Sequence, residues 1–98
     1  APRAVQAQPR PAGLAAVVFR AAIDRATADS ALREKIAASI EAVVLGCAMP
    51  EAEQGLNVAR IASIEAGIPV TASAVTVNRF CSSGLQAIAQ ASERILLG

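Results

Sequence analysis

A chain of 98 residues, 54% hydrophobic and only 2% aromatic, is one small domain or part of a larger one, with a core of small and branched aliphatic side chains. Nine basic and eight acidic residues are interspersed to a net charge of +1, so neither a basic stripe for nucleic acid nor an acidic tail is present. No apolar run is long enough to span a bilayer, no segment reads as a secretory signal, and two cysteines are too few for a disulfide scaffold, which makes a reducing cytoplasm the expected setting. The dominant residue is Ala, which buries little area per side chain, so much of the apolar surface is expected to meet something outside this chain.

Residues 1–12, interrupted by Pro2, Pro9 and Pro11, are expected to be irregular and solvated, with residues 13–98 forming the α/β portion. A helical period runs from Gly13 to about Arg25, placing Leu14, Val17, Val18, Ala21 and Ala22 on one face. A short helix follows from about Ser30, capped by Asp29 or Ser30, with Leu32, Ile36 and Ile40 aligned. Ala42 to Gly46 is a short, fully apolar run whose branched residues and terminal Gly predict a buried strand. After a loop containing Cys47, Met49, Pro50 and Gly55, a helix is predicted from Leu56 to Ala66 and ends at Gly67 before Ile68-Pro69. Ala74 to Asn78 is the second strand, and Leu85 to Leu97 the last helix, small on most sides and therefore expected to be largely buried, with Gly98 as its cap.

Two strands joined by a helical crossover make a βαβ unit at about residues 42–78, parallel and right-handed, followed by a buried helix. The fold class is α/β. Two strands do not make a stable open sheet, so at least one further strand is expected.

The chemistry concentrates at Asn78-Arg79-Phe80-Cys81-Ser82-Ser83-Gly84, between a predicted strand and a predicted helix. A thiol at a helix start sits beside free backbone N–H groups and the positive end of the helix dipole, which favour the thiolate, the nucleophilic form. The same N–H groups can stabilise an oxyanion formed when that thiolate attacks a carbonyl. Ser82 and Ser83 suit helix caps, Asn78 a turn, and Arg79 an ion pair, while Gly84 would admit a close neighbouring backbone or ligand. A lone cysteine is also commonly a small buried hydrophobe, and spacing alone leaves packing and catalysis both open for Cys81. Cys47 reads as a buried loop residue, Met49 as a packing residue and Asn57 as a helix cap.

Asn78-Arg79-Phe80-Cys81-Ser82-Ser83-Gly84-Leu85-Gln86-Ala87 resembles the active-site signature of the thiolases. Gly46-Cys47, Glu53-Gln54-Gly55-Leu56-Asn57-Val58-Ala59-Arg60, Gly67-Ile68-Pro69 and Ala74-Val75-Thr76-Val77-Asn78 resemble thiolase segments in the same order, over about Gly13 to Gly98. The resemblance implies part of the N-terminal half of a layered α-β-α-β-α fold, an incomplete N-terminal thiolase domain. It implies an acyltransferase whose nucleophile, Cys81, forms an acyl thioester with its backbone N–H in an oxyanion site. Coenzyme A and 3-ketoacyl-CoA are then substrates, and no cofactor is covalently bound. Arg79 with Ser82-Ser83 is more similar to degradative 3-ketoacyl-CoA thiolases of fatty acid β-oxidation than to biosynthetic acetoacetyl-CoA thiolases. Ketoacyl synthases share the fold but carry a different nucleophile motif. The implied partners are the remainder of the thiolase fold and further copies of the chain, as a homodimer or tetramer meeting near Val75–Asn78.

The chain departs from the family pattern in lacking the Gly-His-Pro, Asn-Glu-Ala-Phe and Cys-x-Gly-x-Gly motifs, and it contains no His. The first strand, normally ending in Arg-Thr-Pro, and the coenzyme A loop domain have no counterpart, and Cys47 does not match the second family cysteine. The chain alone is therefore expected to be inactive. The competing expectations are a thiolase-like module that only packs or dimerises, a segment of a biosynthetic acetoacetyl-CoA thiolase, and a redox protein using Cys47 and Cys81, which form no Cys-x-x-Cys pair.

Overall fold

The structure, a computed structural model, describes residues 10–98. Most of the segment expected to be irregular, residues 1–9, lies outside the described residues. The first helix, α1 (Pro11–Ala26), starts two residues before the predicted Gly13. Pro11 occupies its first turn, where the missing N–H has no intrahelical partner to lose.

Helix α2 (Ser30–Ala38) is capped as its sequence indicates: Asp29 Oδ1 accepts from the amides of Ala31 (3.0 Å) and Leu32 (3.4 Å). The strands β1 (Ala42–Gly46) and β2 (Ser73–Val77) pair in parallel, with Ala42 opposite Ser73 and Gly46 opposite Val77. The ladder continues past both ends through Ser73 N to Glu41 O (2.9 Å) and Cys47 N to Val77 O (2.8 Å).

A 3-10 turn (Ala52–Gln54) and helix α3 (Val58–Glu65) form the crossover. Gly67, at φ +79, ends α3: its amide bonds Ile64 O (3.1 Å), and the amide of Ile68 bonds Ser63 O (3.0 Å). That paired reverse closure is the Schellman arrangement, in which a residue without Cβ adopts the left-handed conformation at no steric cost. The side chain of Ile68 is buried against Val43 and Ala72, which ties the end of the helix to β1. Helix α4 (Ser83–Leu97) follows β2 and is closed by Gly98, at φ +84.

The period-two alternation of β1 sorts the layers. Val43 and Leu45 face α1 and α3, where Ala12, Cys47, Val58 and Ala62 form one core cluster and Val43, Ile68 and Ala72 a second; Phe19 of α1 packs on both. Ala42 and Val44 face α4. The described residues therefore form an α/β assembly with a two-stranded parallel sheet between helices, as the sequence predicts. None of their helices is long and apolar enough to cross a membrane.

Three expectations about burial are corrected. The last helix is not largely buried: only Ser83 and Ala87 are, whereas Leu85, Ile88, Ile95, Leu96 and Leu97 are exposed. Its small residues lie against β1 and its large ones point away, so the face that small side chains predict as buried is a narrow strip. In α1, Leu14, Val17 and Val18 are exposed, while Ala12, Ala16 and Phe19 turn inward. The helix is apolar nearly all round, and the side with alanines approaches α3 more closely. Met49, expected to pack, is exposed.

Candidate active site

The turn between β2 and α4 is held by its own side chains. Asn78 Oδ1 accepts from the amide of Phe80 at 2.9 Å, a local side-chain turn that asparagine commonly makes. Arg79 O accepts from Ser82 N (3.0 Å) and Phe80 O from Ser83 N (3.1 Å). The chain reverses so tightly that Phe80 takes φ +47, a left-handed conformation uncommon for a bulky residue and costing about 1–3 kcal/mol.

Ser83 closes this turn. Its hydroxyl accepts from Arg79 N at 2.8 Å and donates to Phe80 O at 2.7 Å, and the residue is buried. Ser82 occupies the N-cap position, but its side chain makes no capping bond; of the two serines expected to cap α4, one instead pins the preceding turn. Arg79, expected in an ion pair, donates from Nη1 to Gln86 Oε1 at 2.9 Å across the first turns of α4.

Cys81, the candidate nucleophile, lies within this turn, two residues before Ser83, and is exposed. Among the described residues, the amides of Cys81, Gly84 and Leu85 donate to no protein acceptor. An exposed cysteine thus lies two residues ahead of a helix of 15 residues, at the end where the helix dipole is positive. The turn is also at the carboxyl end of the parallel strands, the edge where open α/β sheets place ligands.

Sequence reasoning missed what seats this turn on the sheet. A Cβ at Gly84 would meet nothing within 4 Å, so Gly84 is not the close-approach glycine. Gly46 is: a Cβ there would fall 2.6 Å from the carbonyl carbon and oxygen of Ser83 and 2.8 Å from Gly84 N. The available signal was a glycine ending an otherwise branched strand, which marks a backbone approach.

Cys47, the next residue, is buried as expected, its thiol donating to Gln54 Oε1 at 3.4 Å. Asn57 caps α3 through Arg60 N (3.4 Å) and also ties that helix to β2, donating to Ala74 O (3.0 Å) and accepting from Thr76 Oγ1 (2.6 Å). A cavity of about 460 Å³, lined by Ile36, Ile40, Val44, Ala91, Arg94 and Ile95, opens at the other end of α4 from Cys81. Its distance from the thiol separates it from the candidate chemistry.

The family model for the thiolase N-terminal domain matches residues 4–98. The chain belongs to the thiolase family. The match begins nine residues before Gly13 and so takes in most of the segment expected to be irregular. Among related thiolases, a 3-ketoacyl-CoA thiolase of Bacillus subtilis (strain 168) is 60% identical over 60 residues, 61% of this chain and 15% of that protein. A protein of the same name from Shewanella sp. (strain ANA-3) is 55% identical over 60 residues, 61% of this chain and 16% of its own. One from Shewanella putrefaciens is 56% identical over 59 residues, 60% of this chain and 15% of its own. The matched stretch thus spans only about a sixth of each of these thiolases.

Proposed function

We infer that the chain is the nucleophile-bearing N-terminal portion of a thiolase that cleaves 3-ketoacyl-CoA with coenzyme A through a cysteine acyl-enzyme. The observation carrying this reading is the exposed Cys81 in a tight turn ahead of α4, within a chain matched to the thiolase N-terminal domain. Relatives named 3-ketoacyl-CoA thiolase support the substrate class.

In this reading the Cys81 thiolate attacks the C3 carbonyl carbon of the substrate, forming a C–S bond and a tetrahedral oxyanion. The unpaired amides at the helix start, that of Cys81 among them, suit that oxyanion. On its collapse the C2–C3 bond breaks, and the electron pair leaves on C2 as the enolate of acetyl-CoA, which takes up a proton. Coenzyme A then gives up its thiol proton and attacks the thioester carbonyl. The shortened acyl-CoA forms and Cys81 returns as the thiolate.

The sequence holds no His, so the groups that give and take these protons belong to the remainder of the fold. The 98-residue chain alone is accordingly inactive. Assembly as a homodimer or tetramer near Val75–Asn78, a degradative role in β-oxidation and a cytoplasmic location complete the reading; a reducing compartment suits a thiol nucleophile.

The second reading, a non-catalytic packing or dimerisation module, is favoured by the exposed apolar residues of α1 and α4. Iodoacetamide labelling of the full-length protein carrying this chain separates the two. Fast labelling of Cys81 that acyl-CoA blocks is expected. A Cys81 that labels no faster in the folded protein than in urea, with or without acyl-CoA, decides for the module.

A further inference from the structure

The geometry points to Ser83 as the positioning residue that holds Cys81 in its reactive placement, an inference that rests on the reading of Cys81 as the nucleophile. Cys81 is preceded by two residues, Arg79 and Phe80, whose backbone groups both end on the Ser83 hydroxyl. That hydroxyl takes the Arg79 N–H on one side and gives its proton to Phe80 O on the other, so a single oxygen fixes both peptide planes ahead of the thiol.

The contact has a second consequence. Phe80 O accepts from Ser83 twice, through its hydroxyl at 2.7 Å and its amide at 3.1 Å. A carbonyl oxygen has two lone pairs, and both are engaged. Phe80 O is thus fully occupied and does not fold onto the amides of Cys81, Gly84 and Leu85, which stay open to a substrate oxyanion. The left-handed Phe80 would relax toward a commoner backbone conformation were these bonds lost, and Cys81 would turn with it.

Ser83 is itself held. It is buried, and its backbone lies against Gly46 at the end of β1. The sheet therefore fixes the residue that fixes the turn. Ser82, exposed and without a capping bond, has no such function and serves as the control.

The test uses the full-length protein carrying this chain, with the rate of Cys81 alkylation by iodoacetamide read by peptide mass spectrometry and folding followed by thermal melting. Ser83→Ala is expected to slow Cys81 alkylation roughly tenfold or more, because release of Arg79 N and Phe80 O lets the turn carry the thiol out of its exposed place ahead of the helix, and thiol reactivity follows that microenvironment. Ser83→Thr, which keeps the hydroxyl, is expected to restore it, and Ser82→Ala to leave it unchanged. Wild-type rates in Ser83→Ala, or failure of Ser83→Thr to recover them, overturn the assignment. Hydrogen exchange in the unsubstituted protein provides a reading independent of any variant's folding: the Arg79 amide is expected to be protected, and free exchange there overturns the clamp. Failure of the nucleophile reading looks different: unsubstituted Cys81 then reacts no faster folded than in urea, whatever the protection of Arg79.

Discussion

The Cβ that Gly46 lacks would stand 2.6 Å from both the carbonyl carbon and the carbonyl oxygen of Ser83. The end of β1 and the first residue of α4 are thus in backbone-to-backbone contact, and any side chain at position 46 must push the helix start away. The obstacle is rigid backbone, not the tip of a flexible side chain. Gly46→Ala is therefore expected to lower stability by about 1–3 kcal/mol, the usual range for overpacking. The check is the urea unfolding midpoint. An unchanged midpoint would show that the turn and β1 do not meet this closely.

Asn57 carries three bonds with one side chain, to Arg60 N, Ala74 O and Thr76 Oγ1. Loss of a helix cap alone costs about 1 kcal/mol. Asn57→Ala also releases the Thr76 hydroxyl, which accepts from Ala59 N at 3.0 Å, so its cost is expected to exceed that of a simple cap. Asn57→Asp keeps the two accepting contacts but replaces the donor to Ala74 O by an oxygen that repels it. Urea denaturation should rank stability as Asn, then Asp, then Ala; equal values for Asp and Ala would mean that the accepting contacts contribute no more than that repulsion costs.

The two thiols differ in access. Cys47 is buried beneath α1 and α3 and bonded to Gln54, while Cys81 is exposed in its turn. Brief iodoacetamide treatment of the native protein, followed by mass spectrometry, should find the label on Cys81 and none on Cys47; urea should expose both. Labelling of Cys47 at the native rate of Cys81 would contradict the packing of the first core cluster.

The same contrast shows how far the sequence reaches. β1 was legible to the residue because Ala42 to Gly46 is a fully apolar run with branched residues at its centre and a glycine at its end, and the end of α3 because Gly67-Ile68-Pro69 forbids continuation. The position of Cys81 between a strand and a helix was legible for the same reason. The face of α1 was not: with apolar residues almost all round, periodicity offers two candidate faces, and only the approach of α3 selects Ala12, Ala16 and Phe19. Gly46 at the end of its strand announced a close backbone approach but not that its partner is Ser83, and nothing in residue type pointed to the Ser83 hydroxyl folding back onto Arg79 and Phe80.

The outer face of α4 yields the last prediction. Leu85, Ile88 and Ile95 are 70%, 67% and 80% exposed, a concentration of large aliphatic side chains on one helix that a monomeric soluble surface seldom leaves open. The matched stretch covers only 15% of a thiolase such as that of Bacillus subtilis, and under the proposed function the remainder of the fold is what covers this face. In the 98-residue chain, Ile88→Lys replaces an exposed side chain on a solvated face, and its effect should stay within about 0.5 kcal/mol. In the full-length protein the same substitution buries an unpaired charge and should cost several times more, with a lowered melting temperature and loss of soluble yield. Melting curves of both proteins, each with and without the substitution, read the difference directly. Equal effects in the two would mean that the remainder of the fold leaves this face of α4 uncovered.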